Sequence, residues 1–170
     1  AQGVSSFAGS INFESFNVAK NEAFSQLELG AGSFGTYRAN FSANTGVNKN
    51  GFGFYTSFSR LFSDGYKDHT ETDAYSFFLS GGYYGERDLL RLTVFTGRSQ
   101  NGLGYYVENE STLKSDPTFN TLTDNDNDDF SQHLIQLQYV RTLSDRWNSN
   151  TSIYYGGAGG DFAEGTPDTG

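Results

Sequence analysis

The acidic run 124–129 holds the side chains best suited to bind a cation. Asp124, Asp126 and Asp128 stand two residues apart in the sequence DNDNDD, a spacing that occurs in calcium-binding loops. The run lacks a Gly at its sixth position and a Glu at its twelfth, where Ile135 stands. It predicts either a weak Ca²⁺ site or a solvated loop, and no other cofactor is expected.

Three tyrosines are candidates for contact with a small-molecule ligand. Tyr66 lies in the polar stretch SDGYKDHTETD, and Tyr105 and Tyr106 lie in GLGYYVEN. Exposed tyrosines stack on sugars or on aromatic groups of a ligand. They are equally typical of membrane interfaces, where they need no ligand. Both interpretations stay open.

No catalytic arrangement is visible. The chain has no Cys, its serines lack a G-x-S-x-G turn, and the two histidines, His69 and His133, stand apart. We expect both histidines near strand ends at the water interface. Glu108 and Glu110 lack apolar surroundings that would raise a carboxyl pKa. The sequence therefore predicts that the protein is not an enzyme.

Charge and hydropathy exclude two classes of protein. The net charge is -9 with only 11 Lys and Arg, so a nucleic-acid partner is not expected. No run of about 18 apolar residues marks a membrane-spanning helix. A membrane-spanning strand needs only about ten residues of alternating character.

Alternation of apolar and polar residues predicts strands throughout the chain. In GFGFYTSFSRLF (51–62), Phe52, Phe54 and Phe58 share one face with Arg60. Arg60 either reaches a membrane interface with its long side chain or lies at a bulge that switches faces. The predicted strands are 5–14, 24–34, 36–46, 52–62, 74–84, 89–98, 131–142 and 147–156.

Short and long connections alternate between these strands. The short ones are 48–51, 85–88 and 143–147, and the long ones are 63–73 and 99–130. Outer-membrane barrels place short turns at the periplasmic end and long loops outside. The alternation of short and long connections predicts an all-β antiparallel meander in a transmembrane barrel. In this barrel the phenylalanines would face lipid, and the Gly and Ser positions would face a polar interior.

Several segments resemble TonB-dependent receptors of Gram-negative outer membranes, of the Bacteroidetes type. They are AGSIN (8–12), GSFGTYR (32–38), SDGYKDHTETDAYSFFLSGGY (63–83), 101–120 and 130–162. The resemblance implies a 22-stranded barrel closed by a plug domain. Residues 1–15 would end the plug, and 16–170 would form about seven strands with long extracellular loops. Pro117-Thr118-Phe119-Asn120 departs from the R-x-Y-N pattern of close relatives.

The resemblance also implies function and partners. The receptor would lie in the outer membrane and import a scarce ligand, such as an iron chelate, cobalamin or an oligosaccharide. Its partners would be lipid, the rest of the barrel and plug, and the TonB energy-coupling complex through a region before Ala1. We therefore expect the chain to be a fragment of a larger receptor.

Two alternatives remain open. A complete eight-stranded outer-membrane barrel with a structural or adhesive role would use 5–14 as its first strand. A soluble β-sandwich that binds carbohydrate would instead pack the apolar faces against a second sheet.

Overall fold

The computed structural model describes residue 18 and residues 22–163. The described chain forms one seven-stranded sheet and one short helix. The elements are β1 (Phe24–Ala31), β2 (Tyr37–Val47), β3 (Phe52–Ser63), β4 (Thr72–Tyr84), β5 (Asp88–Gly102), α1 (Glu110–Ser115), β6 (Asn127–Ser144) and β7 (Trp147–Ala163). The strand predicted at 5–14 and the plug segment predicted at 1–15 lie outside the described residues.

The strands follow one another in the sheet in chain order, and every neighbouring pair is antiparallel. This confirms the predicted all-β fold and its antiparallel meander. The seven strands predicted between 24 and 156 are all present. The structure extends the ladder between β5 and β6, where Asn101 pairs with Asp128. Side-chain alternation fails there because both faces are polar, whereas the backbone bonds continue.

Turns and loops separate to the two ends of the sheet. One end, the turn edge, holds the tight connections after β2, β4 and β6. In the first of them, Asn48 Oδ1 accepts the backbone N–H groups of Asn50 and Phe52 at 2.9 and 3.0 Å. The other end, the loop edge, holds 64–71 and 103–126. It also holds the short connection 32–36, so the alternation of lengths is less strict than predicted.

Register assigns each side chain to one of two faces, because residues opposite each other in an antiparallel ladder point the same way. One register row of the aromatic face contains Leu27, Phe41, Phe58, Phe77, Thr96 and His133. The neighbouring row on the other side, the mixed face, contains Gln26, Ser42, Ser57, Phe78, Phe95 and Leu134. The predicted register of Phe52, Phe54 and Phe58 falls on the aromatic face, as do the alternating Leu90, Leu92 and Val94 of β5.

The sheet has almost no core of its own. Among the described residues, the buried hydrophobic side chains are Val18, which is 1% exposed, and Leu122, which is 3% exposed. On the aromatic face Leu29 is 74% exposed and Ile153 is 70% exposed. A domain that folds in water buries such side chains. The aromatic face of the described sheet therefore presents exposed apolar side chains from β1 to β7.

The two outer strands are open edges. In the described sheet β1 pairs only with β2, and β7 pairs only with β6. Open edges leave backbone N–H and C=O groups without ladder partners. The helix α1 is six residues long. No described helix has the length and apolar character needed to cross a membrane.

Candidate functional site

The apolar stretch of the aromatic face lies obliquely across the register rows. Tyr37 of β2 and Phe62 of β3 stand in the same row, near the loop edge. Tyr75, opposite Arg60, stands two residues closer to the turn edge. Val94, opposite Leu79, stands a further four residues closer to the turn edge. Ile135 and Tyr155 continue the row of Val94. The upper limit of the apolar stretch thus descends by about six residues across the sheet, or roughly 20 Å of strand.

Aromatic side chains mark the ends of the apolar stretch on individual strands. On β4 it runs from Tyr75 to Tyr83, and on β7 Trp147 and Tyr155 enclose Ser149, Thr151 and Ile153 on the same face. Each stretch covers about nine residues, close to the roughly 9–11 residues with which a tilted strand crosses lipid. Aromatic ends on a lipid-facing band are typical of outer-membrane barrels.

Arg60 stands at the upper limit of this band, and no bulge places it there. The register of β3 with β2 and β4 is continuous through Arg60, so the bulge offered as one explanation is absent. Its Nη2 lies 2.6 Å from Asp73 Oδ2 on the same face, in the row of Tyr37 and Phe62. The carboxylate gives the guanidinium a counter-charge at the upper limit of the apolar stretch, and contact of Arg60 with a membrane interface stays a prediction.

The mixed face is less polar than the sequence suggested. Tyr55 and Phe78 contact each other with ring centroids 5.9 Å apart, and Phe78 stands in one row with Phe95 and Leu134. Gly and Ser positions surround these residues. Period-two alternation on β4 and β5 places large apolar residues on both faces, and a polar barrel interior at the Gly and Ser positions stays a prediction.

Residue Val18 packs on the mixed face near the turn edge. A Cβ added to Gly53 would lie 2.8 Å from Val18 Cγ1 and 2.6 Å from the carbonyl oxygen of Gly46. Gly53 stands opposite Gly82 in the ladder. These small residues allow Val18 to lie directly against the backbone of the sheet.

The two long loops are joined by hydrogen bonds. Asn120 is buried, and its Nδ2 donates to the carbonyl oxygens of Asp68 and Leu103, both at 2.8 Å. Lys67 Nζ donates to the carbonyl oxygens of Gly104 and Tyr106 at 3.3 Å. Bonds to a buried amide are costly to lose. The two loops therefore form one unit, here called the loop junction (64–71 and 103–126).

The three candidate tyrosines lie in this unit but do not form one cluster. Tyr66 is 53% exposed and meets Phe34 edge to face, with centroids 5.3 Å apart. Tyr105 and Tyr106 stack on each other at 4.9 Å. Lys67, which follows Tyr66, links the two places through its bonds to the second loop. The structure thus places two separate aromatic surfaces on the loop junction.

The three candidate carboxylates point to different partners. Asp124 binds His69. Asp126 is buried, and its Oδ2 accepts the backbone N–H and the hydroxyl of Thr123 at 2.7 and 2.9 Å. Asp128 belongs to β6. No group of three His, Cys, Asp or Glu suited to a metal occurs within the part of the chain that the structure describes. The Ca²⁺ site stays a prediction.

The histidines differ from expectation in one case. His69 lies three residues before β4, near a strand end as expected, with a φ of 60°. His133 lies well inside β6 on the aromatic face, where its ring is 5.7 Å from that of Tyr155. The expected position near a strand end was wrong, because β6 extends further at both ends than its alternating pattern indicated.

A depression on the mixed face lies next to the loop junction. Its volume is about 350 Å³. The floor consists of small residues on the three central strands, and larger side chains surround it. The floor residues are Ser59, Ala74, Ser76, Gly97 and Ser99, and the surrounding side chains are Arg38, Asn40, Leu61, Phe95, Phe130 and Gln132.

Arg38 is the open charge of this depression. Arg60 and Arg98 also reach its lining, but they bind Asp73 and Asp129 on the aromatic face. Within residues 22–163, the Arg38 guanidinium makes no ion pair. The ion pairs among these residues join other side chains. The nearest carboxylate in register, Glu28, is bonded to Gln26 and Asn40.

Sequence reasoning missed the depression, the loop junction and α1. The helix had a local signal, because Glu110 and Lys114 stand four residues apart and form an ion pair at 2.7 Å. The sequence signal for the depression was weaker: small residues occupy alternate positions on neighbouring strands. No protein-family model matches the chain, and no curated protein is significantly similar to it.

Proposed function

We propose that the described sheet forms part of the wall of a transmembrane β-barrel, in a TonB-dependent receptor of the Gram-negative outer membrane. The receptor imports a scarce ligand, such as an iron chelate, cobalamin or an oligosaccharide, into the periplasm. The observation that supports this most directly is the oblique apolar band of the aromatic face. The motifs GSFGTYR and AGSIN support the choice of family.

An oblique band is expected of strands that cross a membrane at an angle. In barrels the strands tilt by about 35–45° from the membrane normal, so a layer of lipid meets each successive strand at a different register position. A second protein sheet packed on this face would not require that shift. The aromatic ends and the nine-residue stretches agree with the same geometry.

The open edges agree with a part of a larger wall. In a closed barrel, the first and last strands pair, and β1 and β7 stand at opposite edges of the described sheet. A complete eight-stranded barrel would instead need 5–14 as its first strand, and these residues lie outside the described ones. The carbohydrate-binding sandwich needs a second sheet over the apolar face. The described residues form a single sheet, so this alternative has less support.

The loop edge has the character of an outer, ligand-capturing surface. It carries both long loops, the exposed tyrosines and the rim of the mixed-face depression. In the proposed receptor, ligand binds at this edge and on the mixed face, and the plug rearranges when the energy-coupling complex pulls on it. Lipid covers the aromatic face.

The test is the behaviour of the 170-residue chain with and without a membrane mimetic. We expect aggregation in plain buffer and a strand-type circular dichroism spectrum in detergent or lipid bilayers. Trp147 is the single tryptophan and lies 72% exposed at the end of the band. Brominated lipids should therefore quench its fluorescence. A β-rich monomer in plain buffer, or a folded chain in bilayers without quenching, would overturn the proposal.

A further inference from the structure

The mixed-face depression combines one open positive charge with an apolar rim. Arg38 stands at one side, on β2, and the ring of Phe130 stands at the other, on β6. Leu61 and Phe95 complete the apolar part of the rim. A volume of about 350 Å³ lies within the roughly 300–1,000 Å³ of small-molecule sites. The dimensions therefore suit a compact ligand and not a polymer.

The small residues of the floor make this space. On the central strands Ser59, Ser76 and Gly97 stand side by side in one register row. A Cβ on Gly97 would already lie 3.2 Å from the carbonyl oxygen of Tyr75. A large side chain at any of these positions would fill the depression. A planar group can therefore lie flat on the floor between the aromatic and aliphatic walls.

The polar groups of the rim define the other half of the ligand. Ser59 Oγ donates to Asn40 Oδ1 at 2.7 Å, and Asn40 Nδ2 donates to Glu28 at 3.2 Å, so this amide is occupied. The Arg38 guanidinium stays available for a ligand, because it makes no ion pair with the described residues. A guanidinium binds a carboxylate through two parallel hydrogen bonds. The open charge thus favours an anionic group at the β2 side.

We propose that the depression binds a small aromatic carboxylate, with the carboxylate on Arg38 and the ring against Leu61, Phe95 and Phe130. Neighbouring strands lie about 4.8 Å apart, so β2 and β6 are roughly 19 Å apart across four strand spacings. The side chains of Arg38 and Phe130, which stand in one register row, shorten this distance, and the remaining span suits a bicyclic aromatic acid. The inference deepens the proposed function and rests on it, because the mixed face must line the path of the ligand.

The test uses 2-naphthoate as the probe and 2-naphthalenemethanol as its uncharged counterpart. Binding is measured by titration calorimetry on the folded 170-residue chain in detergent, with detergent alone as the blank. We expect naphthoate to bind at least ten-fold more tightly than the alcohol. Arg38→Gln should remove this difference and leave alcohol binding unchanged. Ser76→Leu, which keeps the charge and fills the floor, should weaken both probes.

Arg91→Gln is the matched control. Arg91 lies on the same face near the turn edge, where its Nη2 donates to Gln138 Oε1 at 2.7 Å, and it does not line the depression. This variant should bind naphthoate like the unaltered chain. Equal affinity for both probes, no binding of either, or the same loss in Arg91→Gln as in Arg38→Gln would overturn the inference.

The circular dichroism and Trp147 quenching of the same samples separate this inference from the proposed function. A chain that contacts lipid but does not bind naphthoate through Arg38 would refute the ligand site alone. A chain that folds as a monomer in buffer and binds naphthoate through Arg38 would refute the membrane location alone.

Discussion

Arg60 and Asp73 form an ion pair at 2.6 Å on the aromatic face, at the loop-edge limit of the apolar band. Both side chains are a little over one third exposed, at 38% and 37%. Oδ1 of Asp73 is buried and accepts no hydrogen bond from the described residues. The pair therefore offsets a cation that the phenylalanine register of β3 would otherwise place in the band.

Removing one partner of this pair should cost more than removing both. We expect Asp73→Ala to destabilise the sheet because it leaves Arg60 without a counter-charge. A double-mutant cycle with Arg60→Ala should give a coupling of about 0.5–1 kcal/mol, the upper range for partly exposed pairs. Urea unfolding in detergent measures it. The cycle for Glu110 and Lys114 on α1 should give less, about 0.3–0.5 kcal/mol, and equal couplings would contradict this account.

A charge at the centre of the apolar band should prevent stable insertion. Leu92 lies on the aromatic face between Gly81 and Leu137 in register, midway between Leu90 and Val94. Leu92→Lys should destabilise the folded chain in bilayers by about 2–4 kcal/mol, the cost of Lys on the lipid face near the midplane. Thr93→Lys places the same charge on the mixed face, next to Gln136 in register, and should cost under about 1 kcal/mol. Similar effects of the two variants would argue against lipid on the aromatic face.

Asn120 should hold the loop junction together. Asn120→Ala removes the two 2.8 Å bonds to Asp68 and Leu103 and leaves both carbonyl groups without this donor, at about 1–3 kcal/mol. Hydrogen exchange in 64–71 and 103–126 should accelerate by ten-fold or more, with the strand signal unchanged. Asn125→Ala, at an exposed position of the same loop, is the control. Unchanged exchange in Asn120→Ala would mean that the loops are independent.

Gly53 should be essential for the close approach of Val18 to the sheet. The added methyl of Gly53→Ala meets the Gly46 carbonyl oxygen, which is backbone and cannot move aside. We expect a loss of about 1–3 kcal/mol, as in other overpacked sites. Around Gly159 an added Cβ meets nothing within 4 Å, so Gly159→Ala should be neutral or stabilising. Urea unfolding of both variants decides, and an equally mild effect would mean that Val18 does not pack there.

Calcium should bind the acidic loop 124–129 only weakly. Asp124 must leave His69 and Asp126 must leave Thr123 before either can serve a cation. We expect a dissociation constant of about 1 mM or higher, the weak end of the range for calcium loops. Titration calorimetry with CaCl₂ measures it, with Asp124→Asn as the comparison. Micromolar binding would show that the loop rearranges around the ion.

The strands were predictable because their alternation is local. Phe52, Phe54 and Phe58 repeat at a period of two, and that period alone assigns them to one face. The same pattern placed Leu90, Leu92 and Val94 on the aromatic face. The extra residues of β5 and β6 were not predictable, because Asn101 and Asp128 are polar and pair through their backbones only.

The site was predictable only as a list of residue types. Tyr66, Tyr105 and Tyr106 were candidates by exposure, yet their positions depend on Asn120, which nothing in the sequence distinguishes from other loop amides. Arg38 on β2 forms part of a site only because Phe130 on β6, four strands away in the sheet, lines the same depression. Register between distant strands is a property of the whole ladder, and single-strand patterns do not contain it.

The lengths of the strands have a consequence for the order in which the sheet forms. β6 and β7 are the longest strands, with 18 and 17 residues, and the turn between them is very tight. Closing a short connection costs little chain entropy, and hairpins form within about 1–10 μs. The β5 to β6 ladder must instead close the loop 103–126. We expect the β6–β7 hairpin to nucleate the described sheet, so that β1 to β5 add to a hairpin that follows them in the chain.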